Sequence, residues 1–381
     1  MEVQQKMFKS GASLVPDNGT APLSGPADLV LVFGSCARLA ATPFASLRAL
    51  YPAALIVGCS TAGEIFDTVV ADDSLTLTAV HFARTRVGLA QTRVGDPGES
   101  RAAGQALARQ LAQAGLCHVL VFSDGLHVNG TELVDGLRGE LPAQVAVTGG
   151  LSGDGADFKR TLVIADAPAA EQVIAAVGFY GDALRVGYGS LGGWDPFGPD
   201  RLITRASGNV LYELDGQSAL ELYKRYLGEH AAGLPATGLL FPLELREQAG
   251  SKAPGLVRTI LSVNEDEQSM TFAGDMPEGV YARLMKANFD RLIDGASGAA
   301  LATRTALGTA PAELAILISC VGRKLVLQQR VEEEVESVRD VLGPGATLTG
   351  FYSYGEISPS VAAGKCELHN QTMTITTFAE V

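Results

Sequence analysis

Residues 58–65 read GCSTAGEI, directly after the apolar run Ala54–Val57. These eight positions supply a thiol (Cys59), two hydroxyls (Ser60, Thr61), two glycines (Gly58, Gly63) and a carboxylate (Glu64). A nucleophile's seat, an anion cradle and a plain bend all draw on that set. Residues 350–357, GFYSYGEI, keep the frame G-x4-G-E-I and lack the cysteine. A frame that recurs without its thiol points to shared backbone geometry before shared covalent chemistry.

The frame belongs to a longer repeat. DLVLVFGSC (28–36) has the length of a buried strand, FASLRAL (44–50) reads as helix, the run into Gly58 as a second strand and SLTLTAVHF (74–82) as a third. HVLVFSDG (118–125), TELVDGLRGEL (131–141), VAVTGGLSGDG (145–155) and TLVIAD (161–166) repeat that order. So do LAILISCVG (314–322), RVEEEVESVRDVLG (330–343), TLTGFYSYGEI (347–357) and TMTITTF (372–378). In each copy the first strand is read to end at a serine: Ser35, Ser123 and Ser319. The second leads into a glycine loop: Gly58/Gly63, Gly150/Gly155 and Gly350/Gly355. The runs LVLVF, HVLVF and LAILI lack alternation, which suits strands covered on both faces. The expected fold class is α/β, with mixed β-sheets flanked by helices and built from repeated strand-helix-strand-turn-strand units. A ligand is expected beyond the carboxyl ends of the strands, where the serines and glycine loops collect. Asp124 stands on that face; Asp154, within GDG, reads as a turn former.

Residues 1–26 read as an irregular lead-in, 27–215 as a first α/β domain and 216–381 as a second. The amphipathic stretch SALELYKRYLGEHA (218–231) is a helix near the start of that second domain. At 381 residues, with 47% hydrophobic and 19% charged residues, the chain has ample material for cores. The formal charge of -13 and the lack of clustered Lys and Arg argue against a nucleic-acid partner. No run approaches the ~18 apolar residues of a membrane span, and the first twenty residues lack a secretory h-region. Five scattered cysteines without a C-x-x-C pair read as a reducing, cytoplasmic setting.

Cys59 needs a nearby base to act as a nucleophile, and the five histidines (81, 118, 127, 230 and 369) are all distant in sequence. A buried thiol at a strand end is the stronger reading. No lysine follows the second glycine of any loop, so the phosphate-loop pattern is missing. Glu64 and Glu356 share a repeat position, where a carboxylate either contacts a ligand amine or ties a loop. Tyr352 and Tyr354, in YSYGE, either wall a pocket or pack an interface. CELHNQT supplies Cys366, His369 and Asn370; a lone C-x-x-H pair is too few ligands for zinc. A single histidine could hold haem axially, but its polar neighbours argue against it, and no cofactor is expected. The acidic residues 332–334 and 336 read as a solvated helix face.

GCSTAGEI, YELDGQSALELYKRYLG (212–228), TGFYSYGEISP (349–359) and CELHNQTMTITTF (366–378) together resemble the FIST sensory proteins, with an N-terminal and a C-terminal FIST domain. The resemblance implies a sensor of small molecules, amino acids among them, of the kind attached to histidine kinases, cyclases or chemoreceptors. One branch of the family binds haem and responds to nitric oxide. It implies ligand-binding positions at Cys59, Ser60, Gly63, Glu64, Tyr352, Gly355, Glu356, His369 and Asn370. The strand-end reading adds Thr61, Ser123, Asp124 and Tyr354. The chain ends at Val381, directly after the last family strand, so the expected function is a stand-alone intracellular small-ligand sensor or binding protein acting through a separate partner. A haem-based nitric oxide sensor and a Cys59-dependent enzyme are the alternatives.

Overall fold

Three six-stranded sheets each carry one copy of the repeat in the computed structural model, which describes residues 1–9, 18–19, 22–251, 255–359 and 364–381. In each copy the first strand (Leu29–Gly34, Leu116–Ser123, Leu314–Cys320) pairs in parallel with the second (Leu55–Ser60, Ala146–Leu151, Thr347–Ser353). A parallel pair requires a crossover. Helices supply it: Cys36–Ala41 with Phe44–Leu50, then Gly130–Glu140, then Val321–Leu327 with Val331–Leu342. A return strand (Leu75–His81, Val173–Tyr180, Met373–Glu380) lies antiparallel on the other side of the first. The architecture is the mixed α/β arrangement expected from the repeats.

A flank strand pairs with each return strand: Glu2–Phe8, Arg86–Arg93 and Leu184–Leu191. The first of these corrects the expectation of an irregular lead-in. All seven residues of EVQQKMF pair with Leu75–His81, and Met7 and Phe8 are buried. A waiting sheet edge decides such a strand more than its own composition does.

The strand that follows each second strand crosses to a neighbouring sheet. Glu64–Phe66 pairs with Thr347–Ser353 of the third copy, Gly355–Pro359 with Ala146–Leu151 of the second, and Val163–Ala165 with Leu55–Ser60 of the first. The three exchanges close a ring. Inside the third copy, between Leu184–Leu191 and the 19-residue helix Phe289–Leu307, the chain builds a further nine-stranded sheet from Asp195 to Lys286. That sheet packs its own core around Leu211, Leu220, Tyr223 and Phe272.

One constraint recurs at the same register in all three copies. Gly58, Gly149 and Gly350 sit opposite Val32, Val121 and Leu317 of the parallel neighbour. A Cβ on them would lie 1.8, 2.0 and 1.8 Å from those residues' carbonyl oxygens. Across the exchanged strand each glycine faces an isoleucine: Ile164, Ile357 and Ile65 respectively. The equivalence in the second copy therefore runs through Gly149, one residue before the Gly150 that spacing suggested. The same registers pair Gly34 with Ser60, Ser123 with Leu151 and Ser319 with Tyr352. The first-copy equivalent of Ser123 and Ser319 is thus Gly34, and Ser35 corresponds to Asp124 and Cys320.

The ring is filled by Phe33, Phe122 and Phe351, whose ring centroids lie 4.8 to 6.1 Å apart. Phe33 pairs with Cys59, Phe122 with Gly150, and Ile318 with Phe351. Large faces small in the first two copies and the order reverses in the third, as close packing around one point demands. Among the described residues no helix is long and apolar enough to cross a membrane.

Gly149→Ala forces a methyl into a backbone carbonyl and is expected to cost more than about 3 kcal/mol or to abolish folding. Gly155→Ala, with a φ of +58° and open space around it, should cost only ~1 kcal/mol of left-handed backbone strain. Urea unfolding of the two variants beside the wild type checks the contrast.

Candidate functional site

The carboxyl ends of the three first and second strands gather the polar residues of the repeat, and each end is held by a buried carboxylate. In the first copy Glu64 accepts from Thr61 Oγ1 at 2.5 Å and from Ser74 N and Oγ at 3.0 and 2.7 Å. In the third, Glu356 accepts from Ser353 Oγ at 2.7 Å and from Thr372 N and Oγ1 at 3.3 and 3.0 Å. The two acids do the same work on equivalent partners, joining the second-strand turn to the start of the return strand. The second copy has Gly155 at that position and uses Asp124 instead. Asp124 accepts from Leu126 N, His127 N and Gln172 N, each at 2.8 Å. Burial pushes the Glu64 carboxyl up and raises that of Glu356 to about 8, because the charged form loses its water.

The first strand end carries an open cleft of about 350 Å3. The GCSTAGEI loop floors it with Thr61, Ala62, Gly63 and Glu64, the turn before the return strand brings Asp72 and Asp73, and the second copy's loop brings Asp154 and Asp157. Ser35, Cys36 and Ala37 form the remaining wall. Five acidic residues thus line one small space; the Glu64 carboxylate is turned to Thr61 and Ser74, and Asp154 Oδ2 accepts from Lys159 N and Arg160 N. Lys324, from the third copy, reaches in to donate to Ala62 O at 2.8 Å and pairs with Asp72. Phe158, which follows Asp157 and is 44% exposed, stacks on Tyr354 with centroids 4.3 Å apart.

The other candidate residues are distributed as follows. Cys59 is fully buried against Phe33, Phe122, Phe351 and Val163, and burial pushes its thiol well above the ordinary value. A sealed neutral thiol is a core filler, which removes the nucleophile reading. Ser60 ties the first copy to the second: its Oγ donates to Gly153 O at 2.7 Å and accepts from Leu162 N. Ser123 Oγ donates to the Asp124 carbonyl. Tyr352 is buried and donates to Glu334 at 2.6 Å, while Tyr354 Oη donates to Gly155 O and accepts from Phe158 N. Gly355 lies in the strand exchanged onto the second sheet, against Leu151 and Leu368. Asn370 is buried at the third strand end with Glu356.

One residue in the acidic helix differs from expectation. Glu334 is fully buried and pairs with Arg323, itself fully buried, at 2.7 Å; Ser319 Oγ and Tyr352 Oη also donate to it. Its position on the helix face toward the sheet overrides the charge run. The acids Asp72, Asp73, Asp154 and Asp157 were missed as a site because they come from separate loops. The one available signal was that a polar pair precedes every return strand: DD at 72–73, EQ at 171–172, NQ at 370–371.

His369 does not fit an axial haem ligand. Its Nε2 donates to Ser358 O at 2.9 Å, and burial lowers its pKa to about 4. The cleft is walled by carboxylates and lacks the broad apolar lining that haem needs. Among the described residues no group of three His, Cys, Asp or Glu side chains is placed to hold a metal ion.

Family models match along most of the chain: FIST N domain over residues 28–217 and FIST C domain over 219–359. No curated protein matches. Among solved structures, the chain is similar to a cyanuric acid hydrolase from A. caulinodans at 8% identity. That match covers 93% of this chain and 90% of the other, with a TM-score of 0.37.

The raised carboxyl of Glu356 has a measurable consequence. An acid with a folded pKa of about 8 and an ordinary value of 4.5 gives stability that is fully present below pH 4.5 and lost as pH rises toward 8. The stability difference between wild type and Glu356→Gln should therefore fall across that window, by up to ~1.4 kcal/mol per pH unit. The shifts of Glu64 and of the buried histidines are common to both proteins and cancel. Urea titrations between pH 5 and 8.5 test this, and parallel pH curves would contradict it.

Proposed function

The chain belongs to the FIST family, whose domains are sensory, ligand-binding modules, and from that premise we propose that it senses a small amine at the first strand end. The observation that carries this reading is the cleft of about 350 Å3 with Glu64, Asp72, Asp73, Asp154 and Asp157 in its lining. Lys324 pairs with Asp72, and Arg38 donates to the Asp73 carbonyl at 2.9 Å. Carboxylates crowded in a partly enclosed space repel one another, and a ligand cation relieves that repulsion while gaining charge-assisted hydrogen bonds. The size suits an amino acid or a related metabolite amine.

Cys59, Tyr352, Glu356 and His369 act in this reading as the frame behind the cleft. Thr61, Gly63 and Glu64 form its floor. The output passes through a separate signalling protein, a histidine kinase or cyclase being the class in keeping with the family. Lys324 gives the cleft a direct tie to the third copy, so neutralising Asp72 alters a contact between copies as well as the site's charge.

Calorimetric titration with amino acids and simple amines tests the proposal. At least one should bind saturably, and Asp154→Asn or Asp73→Asn should each weaken it roughly tenfold, the loss of ~1.4 kcal/mol from one charged contact. Binding by none of them, or binding indifferent to both substitutions, would overturn the reading.

A further inference from the structure

Several lining positions of the acidic cleft recur in the other copies. Leu75, Ile174 and Met373 pair with Gly34, Ser123 and Ser319 at the three strand ends. Two residues before each lies a residue in left-handed backbone: Asp73, Gln172 and Gln371, with φ of 54°, 60° and 59°. Asp72 and Asp73 of the cleft therefore correspond to Asn370 and Gln371 in the third copy. By the same registers Ser35 corresponds to Cys320 and Ala37 to Gly322. The third strand end has the cleft's plan with two carboxamides in place of two carboxylates.

Those carboxamides are unspent. Asn370 is 1% exposed and Gln371 0%, and all four of their side-chain nitrogen and oxygen atoms are without a hydrogen-bond partner. Folded proteins satisfy nearly all such buried groups, so two adjacent orphaned amides point to an occupant. The Gln371 amide packs onto Gly322, where a Cβ would come within 2.5 Å of Nε2 and 2.7 Å of Oε1; glycine there makes room for this amide at the position that carries Ala37 in the first copy.

Charge at this end is already balanced. Arg323 is committed to Glu334, Gly192 O and Leu292 O, and Glu356 to Ser353 and Thr372. A charged guest would find no counter-ion. The end is also covered: Trp194 Nε1 donates to Gln371 O at 2.8 Å, and Trp194 packs with Val257, Met285, Val326 and Leu327. Val257 and Met285 belong to the inserted nine-stranded sheet.

We propose that the third strand end is a second, occluded binding site, in which the Asn370 and Gln371 carboxamides hold a small uncharged molecule bearing an adjacent hydrogen-bond donor and acceptor, of the carboxamide or urea class. A primary amide presents N–H beside C=O, and the complementary edge on a guest satisfies both at once. The site uses residues outside the acidic cleft and stands whether or not that cleft takes an amine. Trp194 and the inserted sheet form its cover, so a guest enters only when that contact opens.

The chain's single tryptophan makes the test direct. Acetamide, and urea at sub-denaturing concentration, should change Trp194 emission saturably in the wild type. Gln371→Met and Asn370→Leu, which remove the orphaned atoms at similar volume, should abolish that response, and methylammonium should give none. A linear response of equal slope in all three proteins would overturn the proposal. Should either variant fail to fold, a crystal structure of the wild type soaked in acetamide decides instead. Acetamide on the two amides supports the site, and water alone on them refutes it.

Discussion

Three glycines lying directly against backbone carbonyls set the geometry on which this fold depends. At Gly58, Gly149 and Gly350 no side chain separates the second strand from the carbonyl of its parallel neighbour. An isoleucine from the exchanged strand covers the other edge of each. The close approach and the exchange coincide: the glycine that lies against its neighbour's carbonyl is also the residue that a different copy's strand pairs with. Because each copy completes another's sheet, none of the three sheets is assembled from one copy alone, and the strand ends are fixed relative to one another around the phenylalanine cluster.

That arrangement explains why three equivalent ends have diverged chemically. The carboxylate that ties the turn to the return strand is kept in all three, as Glu64, Asp124 and Glu356, although the second copy draws it from another position. With the scaffold secured, the pair before the return strand is free to vary: two aspartates, a glutamate and glutamine, an asparagine and glutamine. The first end stays open and acidic, while the inserted sheet and Trp194 cover the third. Lys324 crosses from the third copy to the first end, so a change of charge in the cleft is felt across the exchange boundary.

Much of this plan was legible in the sequence, and the misses share a cause. The apolar runs, the crossover helices and the three-fold order could be read because each is a local pattern. The match between Glu64 and Glu356 was also local, since both follow the same frame. The glycine alignment slipped by one residue in the second copy because GG at 149–150 offers two choices, and only pairing with Val121 selects the first. Glu2–Phe8 was missed because its partner, Leu75–His81, lies some seventy residues away. Glu334 was read as solvated because a charge run shows no sign of which face meets Arg323. The acidic cleft escaped notice for the same reason, its carboxylates arriving from loops that sequence does not bring together. Cys59, the most reactive-looking group in the motif, proved to be the small partner of Phe33.

The claim that the first strand end is the sensory site is tested most directly by mapping backbone amide resonances during titration with lysine and methylammonium. Saturable shifts should centre on Gly63, Asp73 and Gly155, with the third copy's Lys324 region following at the same midpoint. Saturable shifts centred elsewhere, or none at these three positions, would contradict that claim.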